Sequence, residues 1–147
     1  MIQYKTGDLL NSKDPFIAHG CNSYGIMGAG VALQIRERYP WVAEGFVPLI
    51  GSGGRELEMG ALYEFPQKTA PYRILNLITQ DSYGWGRRFV SYDAVDKAFI
   101  AVRAKIGDAA ISVPRIGAGF GGGSWSIVEA IIEEHLRENI VTVWDLP

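Results

Sequence analysis

The chain has 147 residues, a formal net charge of −2, one cysteine and 48% apolar residues. This fits a single domain, residues 1–147, with a full hydrophobic core, and the acidic balance excludes a general nucleic-acid coat, which would be basic. Cys21 alone cannot close an internal disulfide, His19 and His135 are too far apart in sequence to suggest a zinc site, and no apolar run reaches the roughly 18 residues of a membrane span.

In chain order, "IQYKTGD" alternates and ends in Gly7-Asp8, a first strand and turn, and "PFIAHG" reads as a short buried strand. "CNSYGIMGAG" is a glycine-bearing loop, and "VALQIRERYP" a helix stopped by Pro40, with "WVAEGFVPLI" extending the helical region after a kink. "GSGGRELEMG" is an exposed loop. "ALYEFP" and "YRILNLIT" are strands, the second nearly all apolar and therefore central. "QDSYGWGRR" is a loop with two aromatics. Val95, Phe99, Val102 and Ile106 recur at helical spacing, with Ser91 as cap and Gly107 as stop. "AAISVP" is a strand, 126–137 a helix, and "IVTVWDLP" a last strand. Strands followed by alternating helix and strand give an α/β class: a three-layer α/β/α sandwich with a mixed central sheet.

The densest signal is "RIGAGFGGGSW", with five glycines in eleven residues between a strand and a helix. Gly117 to Gly122 satisfy G-x-G-x-x-G, the dinucleotide fingerprint, with Asp145 after the next strand. A Rossmann domain places that unit first and follows it with several strands, which argues against a nicotinamide dehydrogenase. No Lys follows the glycines as a P-loop requires, and there is no G-x-S-x-G elbow. "GIMGAG" and "GAGFGGG" remain, both leaving strands and entering helices. Two such loops can clasp a diphosphate with backbone N–H groups alone, without Lys, Arg or a metal.

Taken together, "TGDLL", "IAHGCNSYGIMGAGVAL", "NLITQ", "VPRIGAGFGGGSW" and "TVWDL" resemble a macro domain, the ADP-ribose-binding module, over nearly the whole chain. The similarity is greatest to the branch with terminal ADP-ribose protein glycohydrolase, ADP-ribose 1″-phosphate phosphatases and DNA ADP-ribosyl glycohydrolase antitoxins. The resemblance implies that Asp8 accepts from the adenine amino group, with the adjacent backbone of Leu9 completing the contact. It places His19 and Asn22 beside the distal ribose, and Gly28, Ala29, Gly30 and Val31 against that ribose and the diphosphate. Arg115 and Ile116 open the second loop, and Gly117, Ala118, Gly119, Phe120 and Gly121 supply its N–H donors, with Phe120 as a cover. Trp144 and Leu146 lie where the family packs adenine, whereas Trp125 reads as core.

Two departures bear on catalysis. Gln80 and Gly121 stand where the terminal glycohydrolase has its nucleophilic Lys and its Asp, so a lysine-dependent mechanism is not available. Ser124 replaces an acidic residue that many members of the branch carry before the Trp. His19 is the remaining acid–base candidate, with Asn22 and Gln80 orienting a water. Asp81, Ser82 and Asp93 flank the variable loop, and Asp93 suits a helix start better than a site. The expected function is binding of ADP-ribose, or of an ADP-ribosylated macromolecule, with hydrolysis at the 1″ position; a non-catalytic reader is the alternative. No cofactor, metal, membrane or general nucleic-acid partner is implied, and no leader opens the chain. A cytoplasmic monomer is expected.

Overall fold

In the computed structural model, six strands form one sheet: β1 (Ile2–Thr6), β2 (Phe16–Asn22), β3 (Leu62–Tyr63), β4 (Arg73–Gln80), β5 (Ile111–Val113) and β6 (Val141–Asp145). Among the described residues four helices accompany them: α1 (Gly30–Arg38), α2 (Pro40–Ile50), α3 (Tyr92–Ile106) and α4 (Trp125–His135). The structure describes all residues except 52–53, 55, 67–68, 82–89 and 119–121. The strand order is β1-β6-β5-β2-β4-β3, parallel throughout except for β3, which runs antiparallel to β4. No helix among the described residues is long and apolar enough to cross a membrane.

The three layers follow from strand alternation. Phe16 and Ala18 of β2, with Leu75 and Leu77 of β4, face the core built by α3 and α4. Ile17 and Cys21, with Ile74 and Ile78, face the core built by α1 and α2. Pro40 is the first residue of α2, where its missing N–H costs nothing, so the proline that ends α1 also begins the next helix. The segment "ALYEFP" shrinks to the two residues of β3. A single 3-10 turn over Leu9–Asn11, capped by Asp8, was not legible as periodicity because three residues cannot show one.

His19, the expected acid–base group beside the distal ribose, lies in the middle of β2, 1% exposed. Alternation turns it toward the α1–α2 core, where its Nε2 lies 2.6 Å from Asn76 Oδ1. Asn76 in turn donates to the carbonyl of Tyr63, so the pair ties β2 through β4 to the edge strand β3. Cys21 Sγ lies 3.6 Å from the same imidazole nitrogen. Burial lowers the His19 pKa to about 4, against a smaller opposing effect of the Asn76 hydrogen bond. The same burial pushes the Cys21 thiol up to about 12. Both groups are neutral at pH 7.

A second buried polar unit fixes the other end of this core. Ser112 on β5 is fully buried and its hydroxyl lies 2.6 Å from Asp14 Oδ2, to which it donates. It accepts from Ser12 Oγ at 2.7 Å and from Trp144 Nε1 at 3.0 Å. One donor and two lone pairs are all a serine hydroxyl has, so this one is saturated.

Two outcomes follow. Ser112→Ala leaves three polar groups short of a partner, and urea denaturation is expected to show a loss of about 1–3 kcal/mol. His19 takes up its proton in the unfolded chain near the ordinary 6.5 but in the folded one only near 4. Stability is therefore whole above pH 6.5 and falls as the pH drops toward 4, by about 3 kcal/mol from this group. His19→Gln should flatten that limb of a stability–pH curve; an unchanged slope would show that other groups carry it.

Candidate functional site

β2 and β5 are neighbours in the sheet, yet their outgoing chains part. After β2 the chain enters α1 and α2 on one face, and after β5 it enters α4 on the other. A crevice opens at the carboxyl ends of such strands, at the point where the winding reverses. Both glycine turns start from this switch point.

The first turn begins with a bulge between Cys21 and Asn22, which re-aims the strand end. Asn22 Oδ1 accepts from the amides of Tyr24 (3.0 Å) and Ile26 (3.1 Å), and Asn22 Nδ2 donates to the Ile26 carbonyl (2.8 Å). The side chain expected to orient a water is instead the scaffold of the loop. Gly25 turns at φ +67°, where a Cβ would lie 2.7 Å from Ile50 Cδ1, and Met27 pins the loop into the core at 2% exposure. Gly28, Ala29 and Gly30 are then left exposed. Ala29 provides no side-chain cap to α1, and there is no acidic residue in its first turn. The N–H groups and positive end of that helix thus face outward. Val31 is half-buried and packs on the core below.

The second turn leaves β5 through Pro114 and Arg115. Ile116, expected at the ligand, has its side chain buried in the α3–α4 core at 2% exposure, which leaves only its backbone for a ligand. Gly117 adopts φ +80° with Val90 so close that a Cβ would meet its Cγ2 at 2.8 Å. Gly123 N closes the loop onto the Gly117 carbonyl at 2.7 Å, and the Tyr92 hydroxyl accepts from Ser124 N at 2.9 Å. Ala118 is half-buried at the turn. Gly119, Phe120 and Gly121 lie outside the described residues.

Arg115, expected at the opening of the second loop, has its guanidinium forked onto Asp145, Nε to Oδ1 at 2.6 Å and Nη2 to Oδ2 at 3.1 Å. That hydrogen bond holds the Asp145 carboxyl below its ordinary pKa. The sequence reading missed Tyr4 and Asp145 as neighbours of this loop; parallel pairing of β6 with β5 brings Asp145 to it and that of β1 with β6 brings Tyr4, and nothing local in sequence reports either pairing.

Asp8 uses Oδ1 to accept from Leu10 N at 2.9 Å, while Oδ2 has a 4.0 Å contact with Arg38 Nη2. Leu9 is buried in the α1–α2 core, so only its backbone is available to a ligand. Trp144 is half-buried: its indole abuts Gly7, its N–H is held by Ser112, and Lys5 Nζ lies 4.9 Å from its ring centre. Leu146 is exposed. Gln80 ends β4 beside Asn22 in register, half-buried, and its carbonyl accepts from Ser23 N at 2.8 Å. Asp93 lies in the first turn of α3, whose cap is Ser91.

Two features lie away from the crevice. A shallow groove of about 670 Å³ runs between β3 and α3, lined among others by Leu62, Tyr63, Lys97 and Ile100. Asp96, Glu134 and His135 bring their ligand atoms within 4.8 Å of one another across α3 and α4, with His135 already 2.6 Å from Asp96.

No family model matches the chain. It is 31% identical over 155 residues to an uncharacterised 17.5 kDa protein of Enterobacteria phage T4, covering 99% of this chain and 97% of that one. It is 30% identical over 131 residues to DNA ADP-ribosyl glycohydrolase of Mycobacterium tuberculosis, covering 88% of this chain but 37% of the relative's length. It is 26% identical over 163 residues to ADP-ribose 1″-phosphate phosphatase of Candida albicans, covering 97% of this chain and all of the relative. The macrodomain of Thermus aquaticus DarG superposes with a TM-score of 0.80 at 25% identity, covering 99% and 98% of the two chains. That of Mycobacterium tuberculosis DarG gives 0.79 at 26%, covering 98% and 97%. With matching layers and end-to-end coverage, the chain belongs to the macrodomain family.

Proposed function

We propose that the chain binds ADP-ribose, free or carried by a macromolecule, across the crevice between β2 and β5. One observation carries this reading. Two glycine-built turns leave adjacent parallel strands toward opposite faces, and the α1 end of one lies uncapped and exposed. Backbone N–H groups on both sides can grip a diphosphate without a cation. Asp8 carries the adenine end: one oxygen is spent on the Leu10 amide, and the carboxylate, 38% exposed, keeps acceptor capacity for an amino group. The half-buried Trp144 offers an apolar wall nearby. The names of the glycohydrolase and phosphatase relatives support the same ligand class.

A second reading, hydrolysis of ADP-ribose 1″-phosphate or of an ADP-ribosyl ester, is favoured by those same names. In this chain it proceeds without His19, which stays neutral in the core, and without Asn22, whose polar atoms shape the loop. Gln80 and the ligand's own diphosphate are then the groups that hold the attacking water. The protein works as a cytoplasmic monomer without general nucleic-acid or membrane binding in either reading.

Calorimetry should show ADP-ribose binding more tightly than AMP; equal affinity would mean that the glycine turns do not hold the second phosphate and ribose. Gly117→Ala, which drives a methyl into Val90 at a positive φ, should weaken ADP-ribose by about tenfold or more through displacement of the loop. Incubation with ADP-ribose 1″-phosphate and with ester-linked ADP-ribosylated protein, followed by release of phosphate or ADP-ribose, decides the second reading. Binding without turnover of either substrate leaves a reader.

A further inference from the structure

The loop "RIGAGFGGGSW" begins with an arginine and ends with a tryptophan, and these two side chains meet. The Arg115 guanidinium lies 5.7 Å from the Trp125 ring centre and 5.3 Å from that of Tyr4 on β1. Its fork onto Asp145 at the end of β6 fixes the plane of the guanidinium. Trp125 Nε1 donates to the Tyr4 hydroxyl at 2.9 Å, and that hydroxyl donates to Glu129 one turn further along α4. The N-terminal arm of the loop is therefore joined to its C-terminal arm, and both are joined to β1 and β6.

A loop this rich in glycine has large conformational freedom to lose on ordering. A ligand gripped by its amides would bear that cost at binding unless the protein has already met it. Among the described residues of the loop, backbone amides are held by Gly123 N to Gly117 O, Ala118 N to Arg115 O, Ile116 N to Pro114 O and Ser124 N to the Tyr92 hydroxyl. The clasp adds a side-chain closure at the mouth, where it restrains both arms at once. Arginine suits the place because one flat group can stack on two rings while its edge forks onto a carboxylate; lysine can do neither.

We propose that Arg115, held by Asp145 and lying over the rings of Tyr4 and Trp125, is a positioning residue that pre-sets the Gly117, Ala118, Gly122 and Gly123 amides for the diphosphate. It touches no ligand. The proposal rests on the ADP-ribose reading for its effect on affinity, but not for its effect on the loop.

The experiment therefore has two arms, both on the full chain. In the first, amide hydrogen exchange is followed by NMR without ligand. Arg115→Ala and Arg115→Lys should each speed exchange of the Gly117, Ala118, Gly122, Gly123 and Ser124 amides by about tenfold, with Leu75 and Val141 in the core unchanged. Unchanged loop amides, or equal acceleration in the core, overturn the proposal. Asp145→Asn, which keeps the shape of the side chain but weakens the fork, serves where Arg115→Ala does not fold. In the second arm, calorimetry should show the ADP-ribose Kd rising about tenfold in the Arg115 variants while the AMP Kd stays within about twofold. An unmoved ADP-ribose Kd, or an equal rise for both ligands, overturns the proposal. Wild-type protein that binds no ADP-ribose overturns the proposed function instead, and the exchange arm still judges the clasp.

Discussion

The arrangement depends on one constraint: two parallel strands lie side by side while the chain leaving each must find cover on a different face of the sheet. β2 feeds α1 and α2, and β5 feeds α4. Neither connection can cross over the other's strand, so a gap is left above the shared edge. Glycine enters because of this gap: the turns must bend sharply there without side chains that would fill it. Gly25 and Gly117 show the steric side of the same requirement, each at positive φ with a core side chain where a Cβ would sit.

The rest of the fold holds that gap open from below. The two polar units in the α1–α2 core, His19 with Asn76 and Ser112 with Ser12, Asp14 and Trp144, sit where an aliphatic side chain would serve packing equally well. Their hydrogen bonds are directional: His19–Asn76 joins β2 to β4, Trp144–Ser112 joins β6 to β5, and Ser12 and Asp14 tie β5 to the segment leading into β2. Such contacts add little to net stability but penalise any slip in register, because a slipped pair leaves buried polar atoms without partners. The ends of β2 and β5 are thereby kept level, which two turns that share one ligand require.

Much of this was legible in the sequence. The layers, the mixed sheet and both glycine turns followed from apolar periodicity and from the places where it breaks. Side-chain roles were less legible, for a physical reason. His19 and Asn22 belong to types that are chemically able, and sequence does not say which face of a strand carries them or how many of their lone pairs are already used. His19 points inward because it shares parity with Ile17 and Cys21, and Asn22 is consumed by three contacts within four residues. The fork of Arg115 onto Asp145 was not legible because Asp145 lies 30 residues away and reaches it only through the pairing of β5 with β6. Local pattern predicts elements; long-range pairing decides which polar groups remain uncommitted.

The lone cysteine has a practical consequence. Cys21 is 5% exposed and its thiol is pushed up to about 12 by burial, so at neutral pH almost none of it is the thiolate that reacts with oxidants or alkylating agents. The folded protein is therefore expected to resist maleimides and mild peroxide. A cysteine introduced on one rim of the crevice would be the single reactive thiol in the molecule, and a second on the other rim would complete a pair of labels whose separation reports the distance between the two turns, without removal of a native residue.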